Sequence, residues 1–424
     1  MNSNEIKQLL MSGELTRYST LYADTASESV RMIAAIERFE ELYGSGREVM
    51  LLSVPGRSEI IGNHTDHNRG KAMAGAIDRD IIAVVAKNAD GVVRLLSEGY
   101  RPDSIDLNTE LSPDKVRRFT SHALVAGVAE GLKSAGYEIG GFDAYTTTKV
   151  LKGSGLSSSA AFEVMIGNAF NHLYNGGVID NKEIARISQY AENVYFGKPS
   201  GLMDQMACAV GGFVYMDFEE KDAPRVESVD FSLGERGYSL CIINTGGSHA
   251  SLNDDYASVP SEMRAVAALF GRSELRGIGE AEILDSAQRI REAVGDRALL
   301  RAIHFVRENE RVDKAKDALH SGNVDAFLKA VRSSGRSSFM YLQNVYTNKK
   351  PNEQGLSLAL ALADGYLDGK QGACRVHGGG FAGTVQAFVK HEDAMGLKTL
   401  MDGVFGEGAT MILSIRPIGA CKLF

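Results

Sequence analysis

A segment rich in glycine and serine leads directly into a strongly patterned helix, and this feature constrains the chain more than any other. The segment is LKGSGLSSSAAFEV, residues 151–164. Apolar residues recur every three to four positions over 158–174, which predicts an amphipathic helix. The first turn of a helix has unpaired N–H groups and a partial positive charge, so it favours a phosphate. A serine N-cap without any ligand explains the same residues, and no Walker A pattern occurs.

A second segment, PGRSEIIGNHTDHNRG at 55–70, concentrates hydrogen-bond donors and acceptors between glycines. Such a set suits a sugar, because each sugar hydroxyl both donates and accepts. An ordinary solvated loop has the same composition. A metal site made by His64, Asp66 and His67 is disfavoured, since near-adjacent residues rarely have ligand geometry.

The third segment, VHGGGFAGTV at 376–385, formally matches the dinucleotide pattern GxGxxG. That pattern requires a helix after the glycines. Here TVQAFV follows, and its alternation predicts a strand. We therefore expect a glycine loop between two strands, serving either as a tight hairpin or as a lid beside a ligand.

Two acidic residues occupy positions that call for a partner. Asp204 lies just before an apolar run, where burial is costly unless the carboxylate is paired or functional. Glu192 lies near the C-terminal end of a helix predicted over 181–196, where the helix dipole disfavours an acid. This position suggests a cation or another partner near Glu192.

The remaining pattern predicts a mixed α/β half followed by a mostly helical half. Predicted helices cover 28–44 and most of 256–335; predicted strands cover 49–54, 80–88, 211–218, 238–244, 372–376 and 384–389. The dipeptide Pro55-Gly56 predicts a turn that ends the first strand. The change in character places a domain boundary at about 210–255.

Composition excludes several functional classes. The chain has 424 residues, with 46 Lys plus Arg against 54 Asp plus Glu, a net charge of −8. A mildly acidic chain is a poor candidate for general nucleic-acid binding, which needs a basic face, but it does not exclude a small anionic ligand. The 12-residue run QMACAVGGFVYM is too short to span a bilayer, and the first residues predict no signal peptide. Four widely separated cysteines suit a reducing cytoplasm.

Taken in order, the motifs resemble those of the galactokinase branch of the GHMP small-molecule kinases. The family pattern PGR-x-x-x-IG-x-HTD-x-N-x-G is matched at 55–70, GLSSSA at 155–160 and GGGF-x-G at 378–383. The stretch from Ala191 to Gln205, which ends in GLMDQ, is similar to the family segment that supplies an acid to the sugar site. The resemblance covers most of the chain from about residue 35.

The chain departs from the galactokinase pattern at several places. Asn63 stands where the family usually has Glu, and His67 where it usually has Tyr. His249, Leu252 and Tyr256 are retained, but the arginines that normally follow are missing. The segment LQNVYTNKKPNEQG at 342–355 also differs from the usual type.

The resemblance implies an α+β fold of two domains, 1–210 and 211–424, with the active site in the cleft between them. ATP is expected on the phosphate loop formed by Gly153, Ser154, Gly155, Leu156, Ser157, Ser158 and Ser159. Mg²⁺ is expected on Ser158 or Ser159 together with Glu192. Asp204 would face the anomeric hydroxyl with Arg57 beside it. The expected sugar pocket comprises Asn63, His64, Asp66, Gly201 and Tyr256; the expected glycine loop comprises Gly378, Gly379, Gly380 and Gly383.

The activity implied by the resemblance is ATP-dependent phosphorylation of galactose to galactose 1-phosphate. The alternatives are a kinase of the same fold for an amino sugar, a heptose or arabinose, and a non-catalytic sensor of galactose and ATP. The intact GLSSSA loop, Arg57 and Asp204 argue against the sensor. We expect a cytoplasmic monomer with a small sugar as its substrate, binding neither nucleic acid nor membrane.

Overall fold

The computed structural model describes residues 1–150, 155–220, 223–247 and 252–424. Its α-helices are α1 (Ser3–Met11), α2 (Thr25–Tyr43), α3 (Ser121–Ser134), α4 (Ser158–Tyr174), α5 (Asn181–Tyr190), α6 (Met203–Val210), α7 (Asn253–Leu269), α8 (Glu280–Asp285), α9 (Ala287–Val294), α10 (Asp296–His320), α11 (Val324–Ser337), α12 (Gly355–Tyr366) and α13 (His391–Phe405). Its strands are β1 (Met50–Ile61), β2 (Lys71–Lys87), β3 (Val92–Ser97), β4 (Asp103–Asp106), β5 (Phe142–Thr148), β6 (Phe213–Asp217), β7 (Arg225–Val229), β8 (Tyr238–Asn244), β9 (Gly372–His377), β10 (Thr384–Lys390), β11 (Thr410–Leu413) and β12 (Cys421–Lys422).

Within the described ranges, the strands form two sheets. The larger sheet has the order β12-β1-β2-β5-β3-β4, with β6 paired to β2 and β7 paired to β6. Strand β2 is long enough to pair with β5 along its second half and with β6 along its first. The smaller sheet has the order β11-β8-β10-β9. Only the β3–β5 pair is parallel among these described strands.

The larger sheet is buried on both faces. Along β2, Ile81, Ala83 and Val85 belong to the main core together with helix α4, whereas Ile82 and Val84 pack with helix α2. This alternation follows from the two-residue period of a strand. Both faces of the strand must therefore be apolar, as the run IIAVVA provides.

Most of the predicted elements are confirmed. The helix expected over 158–174 is α4, and the strands expected at 238–244, 372–376 and 384–389 are β8, β9 and β10. The helix expected over 181–196 consists of α5, which ends at Tyr190, followed by a π-helical segment from Ala191 to Phe196. The α+β class is confirmed, and the boundary near residue 210 stays a prediction.

The turn predicted at Pro55-Gly56 is wrong, because β1 continues through both residues to Ile61. Strand β12 pairs only with Leu52 and Ser53, so Pro55 lies on an edge where no neighbouring strand needs its missing N–H. A Cβ at Gly56 would lie 2.7 Å from the carbonyl oxygen of Leu156. The glycine thus allows close approach of the segment that precedes α4.

The described part of the chain includes no helix with both the length and the apolar character needed to cross a membrane. Each of the four cysteines is a free thiol.

Candidate active site

The two sheets meet where the edge of β1 faces β9 and β10. The carbonyl oxygen of Ile60 on β1 accepts hydrogen bonds from Arg375 Nη1 at 2.9 Å and from Gln386 Nε2 at 2.8 Å. Ser58 Oγ lies 3.1 Å from His377 Nε2. Because β1 also carries Arg57, this junction positions the arginine next to the loops that were singled out in the sequence.

Arg57 and Asp204 form a two-pronged ion pair. Arg57 Nε and Nη2 each donate to a different carboxylate oxygen of Asp204 at 2.7 Å, the strongest geometry for this pair of groups. Burial opposes ionisation of Asp204, but the charge and hydrogen bonds of Arg57, helped by Ser157, hold its pKa below the ordinary value. With 27% of its side chain exposed, Asp204 is an ionised carboxylate that remains open to a substrate.

The described part of the phosphate loop lies directly against this pair. Arg57 donates from its backbone N–H to the carbonyl of Leu156 at 3.1 Å and from Nη1 to that of Gly155 at 2.5 Å. Ser157 does not cap α4; its hydroxyl donates to Asp204 instead. Ser157 has a φ of 59°, which costs conformational energy for a non-glycine residue. Gly153 and Ser154 lie outside the described residues, as does His249.

Glu192 is almost completely buried within a set of donors. Its carboxylate accepts from Lys198 Nζ at 2.8 Å, Ser200 Oγ at 2.5 Å, Gln205 Nε2 at 2.8 Å and Ser159 Oγ at 3.3 Å. The expected proximity of Ser159 and Glu192 is therefore present. Ser158 is the first residue of α4, next to them.

A second carboxyl group, Glu163, shares the amide of Gln205 with Glu192. Gln205 Nε2 donates to Glu163 Oε2 at 3.0 Å, while Glu163 Oε1 is enclosed and has no hydrogen-bond partner among the described residues. Burial, followed by the negative charge of Glu192, raises the pKa of Glu163 well above its ordinary value. An uncompensated buried oxygen beside a carboxylate and a serine fits a hard cation such as Mg²⁺, which binds one or two carboxylates together with substrate phosphates.

Three consecutive carbonyls of the glycine loop accept hydrogen bonds from expected sugar-pocket residues. Asn63 Nδ2 donates to Gly378 at 2.7 Å, His64 Nε2 donates to Gly379 at 2.8 Å, and the Tyr256 hydroxyl donates to Gly380 at 2.7 Å. Gly383 closes the loop before β10, and its carbonyl accepts from Thr245. The glycine loop and the sugar loop therefore form one hydrogen-bonded unit.

His64 and Asp66 are half-buried members of this unit. Burial and the neighbouring His67 lower the pKa of His64 to about 4, so its ring is neutral at pH 7. Because Nε2 donates to a carbonyl, Nδ1 is left to accept from His67 Nε2 at 3.2 Å. A Cβ at Gly201 would lie 2.4 Å from Asp66 Oδ2, which brings the segment before Asp204 against the sugar loop.

Asn63 lies inside the protein, completely enclosed. Beyond Gly378, its amide nitrogen donates to Glu59 Oε1 at 3.0 Å. Its amide oxygen accepts from Asn344 Nδ2 at 2.7 Å and from Ser338 Oγ at 3.2 Å. All the hydrogen-bonding capacity of this side chain is used by protein groups.

The structure brings together the described members of each expected set, and it adds residues that sequence reasoning missed. Lys198, Gln205 and Glu163 surround Glu192, and His377 lies against Gly155. Burial and the charge of Arg57 lower the pKa of His377 to about 3, so it is neutral. These four added residues lie within or next to the motifs of the sequence analysis. Nothing in the local sequence around Lys198, Gln205, Glu163 or His377 distinguishes them from ordinary core or surface residues.

Two family models match the chain: "GHMP kinases N terminal domain" over residues 123–212 and "Galactokinase galactose-binding signature" over residues 37–87. A galactokinase from Streptomyces coelicolor is 34% identical over 84% of this chain and 88% of its own length. A galactokinase from Lactococcus lactis is 30% identical over 89% of this chain and 92% of its own.

Solved structures agree in fold. The crystal structure of Lactococcus lactis galactokinase complexed with galactose superposes with a TM-score of 0.77 at 26% identity, covering 93% of this chain and all of that one. A mevalonate kinase superposes with a TM-score of 0.59 at 16% identity, covering 87% of this chain and 99% of that one, which is a likeness of fold alone.

Proposed function

Because this chain belongs to the galactokinase family of the GHMP kinases, we propose that it transfers the γ-phosphoryl group of ATP to the anomeric hydroxyl of galactose, giving galactose 1-phosphate. Membership of this family makes the chain an ATP-dependent sugar kinase. The observation that carries the proposal is the ion pair between Arg57 and Asp204 beside the phosphate loop. A carboxylate is held there ionised and partly open.

Phosphoryl transfer depends mainly on positioning and on neutralising charge. Asp204 accepts the hydrogen bond, and then the proton, of the attacking hydroxyl. An anomeric hydroxyl is more acidic than an ordinary alcohol, so the weakened basicity that Arg57 imposes on Asp204 is tolerable. Arg57 fixes the direction of the carboxylate, and through Gly155 it fixes the adjoining phosphate loop as well.

The nucleotide side of the site consists of the start of α4 and the acids around Gln205. Ser158 and Ser159 lie in the first turn of α4, where backbone N–H groups have no partner within the helix and can receive phosphate oxygens, and Lys198 adds a positive charge. Ser159 and Glu192, with Ser158 as the alternative serine, would hold Mg²⁺, which neutralises charge on the phosphates when bound. Gln205 keeps Glu192 in place through its 2.8 Å hydrogen bond.

The sugar side consists of Asp66, His64, Gly201 and Tyr256, all on segments that contact the glycine loop or Asp204. Asp66 offers a carboxylate acceptor for sugar hydroxyls, and neutral His64 adds no charge. Helix α7, in which the family's arginines are missing, and the altered 342–355 segment both contact the glycine loop, through Tyr256 and Asn344. A monomeric state and a cytoplasmic location stay predictions.

The test is an assay of purified protein with ATP and Mg²⁺ against free galactose, galactosamine, N-acetylgalactosamine, arabinose and a heptose, following ADP release. Phosphorus NMR of the product then locates the phosphate on the anomeric carbon or elsewhere. ADP release with galactose and an anomeric phosphate supports the proposal. Preference for another sugar, or binding of galactose without turnover, contradicts it.

A further inference from the structure

Two of the places where the sequence departs from the galactokinase pattern meet inside the molecule. Asn63 stands at the position of the usual glutamate, and Asn344 belongs to the unusual 342–355 segment. They are separated by 281 residues, yet Asn344 Nδ2 donates to Asn63 Oδ1 at 2.7 Å. Both side chains are completely enclosed.

Asn344 is joined to the glycine loop by its side chain and by its backbone. Its Nδ2 also donates to the carbonyl of Gly379 at 3.1 Å, and its own carbonyl accepts from the N–H of Phe381 at 2.5 Å. Asn63 holds the preceding residue of the same loop, Gly378. The two asparagines therefore bond to each other and to adjoining residues of one loop.

The surroundings of Asn63 explain why an amide stands there. Glu59 Oε1 accepts from its side chain, and Glu308 Oε1 accepts from the backbone N–H of Gly62 at 3.1 Å. Both glutamates are buried and are paired with Arg375 and Arg311 respectively. A third carboxylate in this enclosed place would face Glu59 while Arg375 and Arg311 are already paired, and burying such an uncompensated charge is strongly unfavourable.

We infer that Asn63 and Asn344 are a positioning pair that fixes the glycine loop against the sugar loop, and that Asn63 does not contact the sugar. Specificity for the sugar then depends on Asp66, His64, Tyr256 and Asp204. Only the sugar measurements below rest on the proposed function, whereas the loop measurement does not.

The first test uses galactose and its 2-deoxy, 3-deoxy, 4-deoxy and 6-deoxy derivatives with wild type, Asn63→Ser and Asn344→Ser. A side chain that touches a hydroxyl matters less once that hydroxyl is removed, whereas a side chain that positions a loop matters equally for every sugar. We expect kcat/KM to fall by about tenfold or more for all five sugars in both variants, the range for losing a buried hydrogen bond. A deoxy sugar on which Asn63→Ser equals wild type identifies a sugar contact and overturns the inference.

The double variant tests whether the two residues act through one contact. If they do, Asn63→Ser/Asn344→Ser loses little more than either single variant, because coupled residues are not additive. Losses that multiply, to about a hundredfold, would mean independent roles and would contradict a positioning pair.

The second test measures the loop directly and needs no substrate. Amide hydrogen exchange of a peptide covering 376–385 should be faster in Asn344→Ser and in Asn63→Ser, because the Phe381 N–H and its neighbours lose their support. The matched control is Asn348→Ser, an exposed asparagine of the same segment, which should exchange like wild type. The inference is overturned if exchange in the two serine variants is faster over the whole chain. It is also overturned if the 376–385 peptide exchanges at the wild-type rate in both variants. If wild type phosphorylates no galactose, the proposed function fails while this measurement still decides the pair.

Discussion

At the scale of single residues, the proposed chemistry depends on how Asp204 is held. Its two oxygens accept from Arg57 at 2.7 Å, and Ser157 adds a third hydrogen bond. We expect Asp204→Asn to lower kcat by at least about 10²-fold, the lower range for loss of a general base. ATP binding should persist, because the phosphate loop and Glu192 are unchanged.

Steady-state kinetics at saturating sugar and calorimetric titration with ATP check this prediction. Asp285→Asn, an exposed position outside the site, is the matched control and should behave like wild type. A kcat for Asp204→Asn near that of the control would remove Asp204 from the proton transfer.

Arg57 determines the pH at which Asp204 loses its charge. Burial raises the pKa of Asp204, and Arg57 more than cancels that effect. In Arg57→Met the effect of burial is unopposed, so the pKa rises and the acid limb of kcat/KM moves to higher pH. Arg57→Lys keeps a charge but loses the two-pronged geometry, and its acid limb should lie between the other two. An acid limb at the same pH in all three proteins would contradict the assignment.

Glu163 should make the folded state less stable as pH rises, because its pKa is raised whereas that of Asp204 is lowered. Burial and Glu192 hold the pKa of Glu163 well above its ordinary value, so the folded state binds a proton that the unfolded state releases at about pH 4.3. This contribution to stability is present below that pH and is lost as pH rises through the folded pKa. Glu163→Gln has no carboxyl group to titrate, so its free energy of unfolding does not decrease in this way. Urea unfolding without Mg²⁺ should show the stability of the variant rising relative to that of wild type from pH 5 to pH 8. A constant difference in unfolding free energy between the two proteins would contradict the raised pKa.

At the scale of secondary-structure elements, the sequence pattern predicted those helices and strands whose formation depends on burying one face of the segment. The apolar period of 158–174 predicted α4, and the alternation of TVQAFV predicted β10, because burial of one face determines both. The turn predicted at Pro55-Gly56 was wrong, although the dipeptide has the composition of a turn. The strand can continue through Pro55 because β12 pairs only with Leu52 and Ser53, and Gly56 allows the close approach of Leu156.

The candidate site was predictable only as far as the family resemblance reached. Arg57, Asp204 and the loops came from matched motifs. The bonds of Asn63 to Asn344 and of Gln205 to Glu163 join residues 281 and 42 positions apart. Such contacts depend on how elements pack, and no local periodicity encodes them.

The glycine loop offers a prediction at this scale, since two of its glycines differ in their surroundings. Gly378 and Gly380 have φ of 68° and 79°, so alanine at either is strained by about 1–2 kcal/mol. A Cβ at Gly378 would have no atom within 4 Å, whereas one at Gly380 would lie 2.0 Å from the backbone oxygen of Asn344.

Gly380→Ala must therefore displace the loop, and Gly378→Ala need not. We expect Gly380→Ala to lose most kcat/KM and to unfold at a clearly lower temperature, with Gly378→Ala close to wild type in kcat/KM. Thermal melts and the ADP-release assay check both variants. Equal effects of the two substitutions would show that strain alone, and not the contact with Asn344, governs the loop.

At the scale of the whole molecule, one buried charge cluster joins segments from both ends of the chain to the centre of the larger sheet. Asp80 on β2 accepts from Arg31 of α2 at 2.8 Å, from Tyr22 at 2.7 Å, from Ser53 of β1 at 2.5 Å and from Arg416 at 3.3 Å. Strand β1 continues from Ser53 to Arg57. The packing of both ends of the chain thereby supports the strand that carries the candidate site.

Asp80→Asn should therefore destabilise the whole fold rather than the site alone. The substitution leaves Arg31 and Arg416 without their shared carboxylate, and Arg416 is 1% exposed. Losing one member of a buried charge cluster typically costs about 3–5 kcal/mol of unfolding free energy, and urea unfolding at pH 7 measures it. Glu41→Gln removes an exposed pair with Arg38 and, as the control, should cost at most about 1 kcal/mol.

Burial opposes ionisation of Asp80, but Arg31 and Arg416 keep its pKa below the ordinary value. Its stabilisation is therefore present above about pH 4, the unfolded-state pKa, and disappears as pH falls through the folded pKa. The difference between wild type and Asp80→Asn should be constant from pH 5 to 7 and shrink below pH 4; a difference that grows on acidification would contradict the charged state of Asp80.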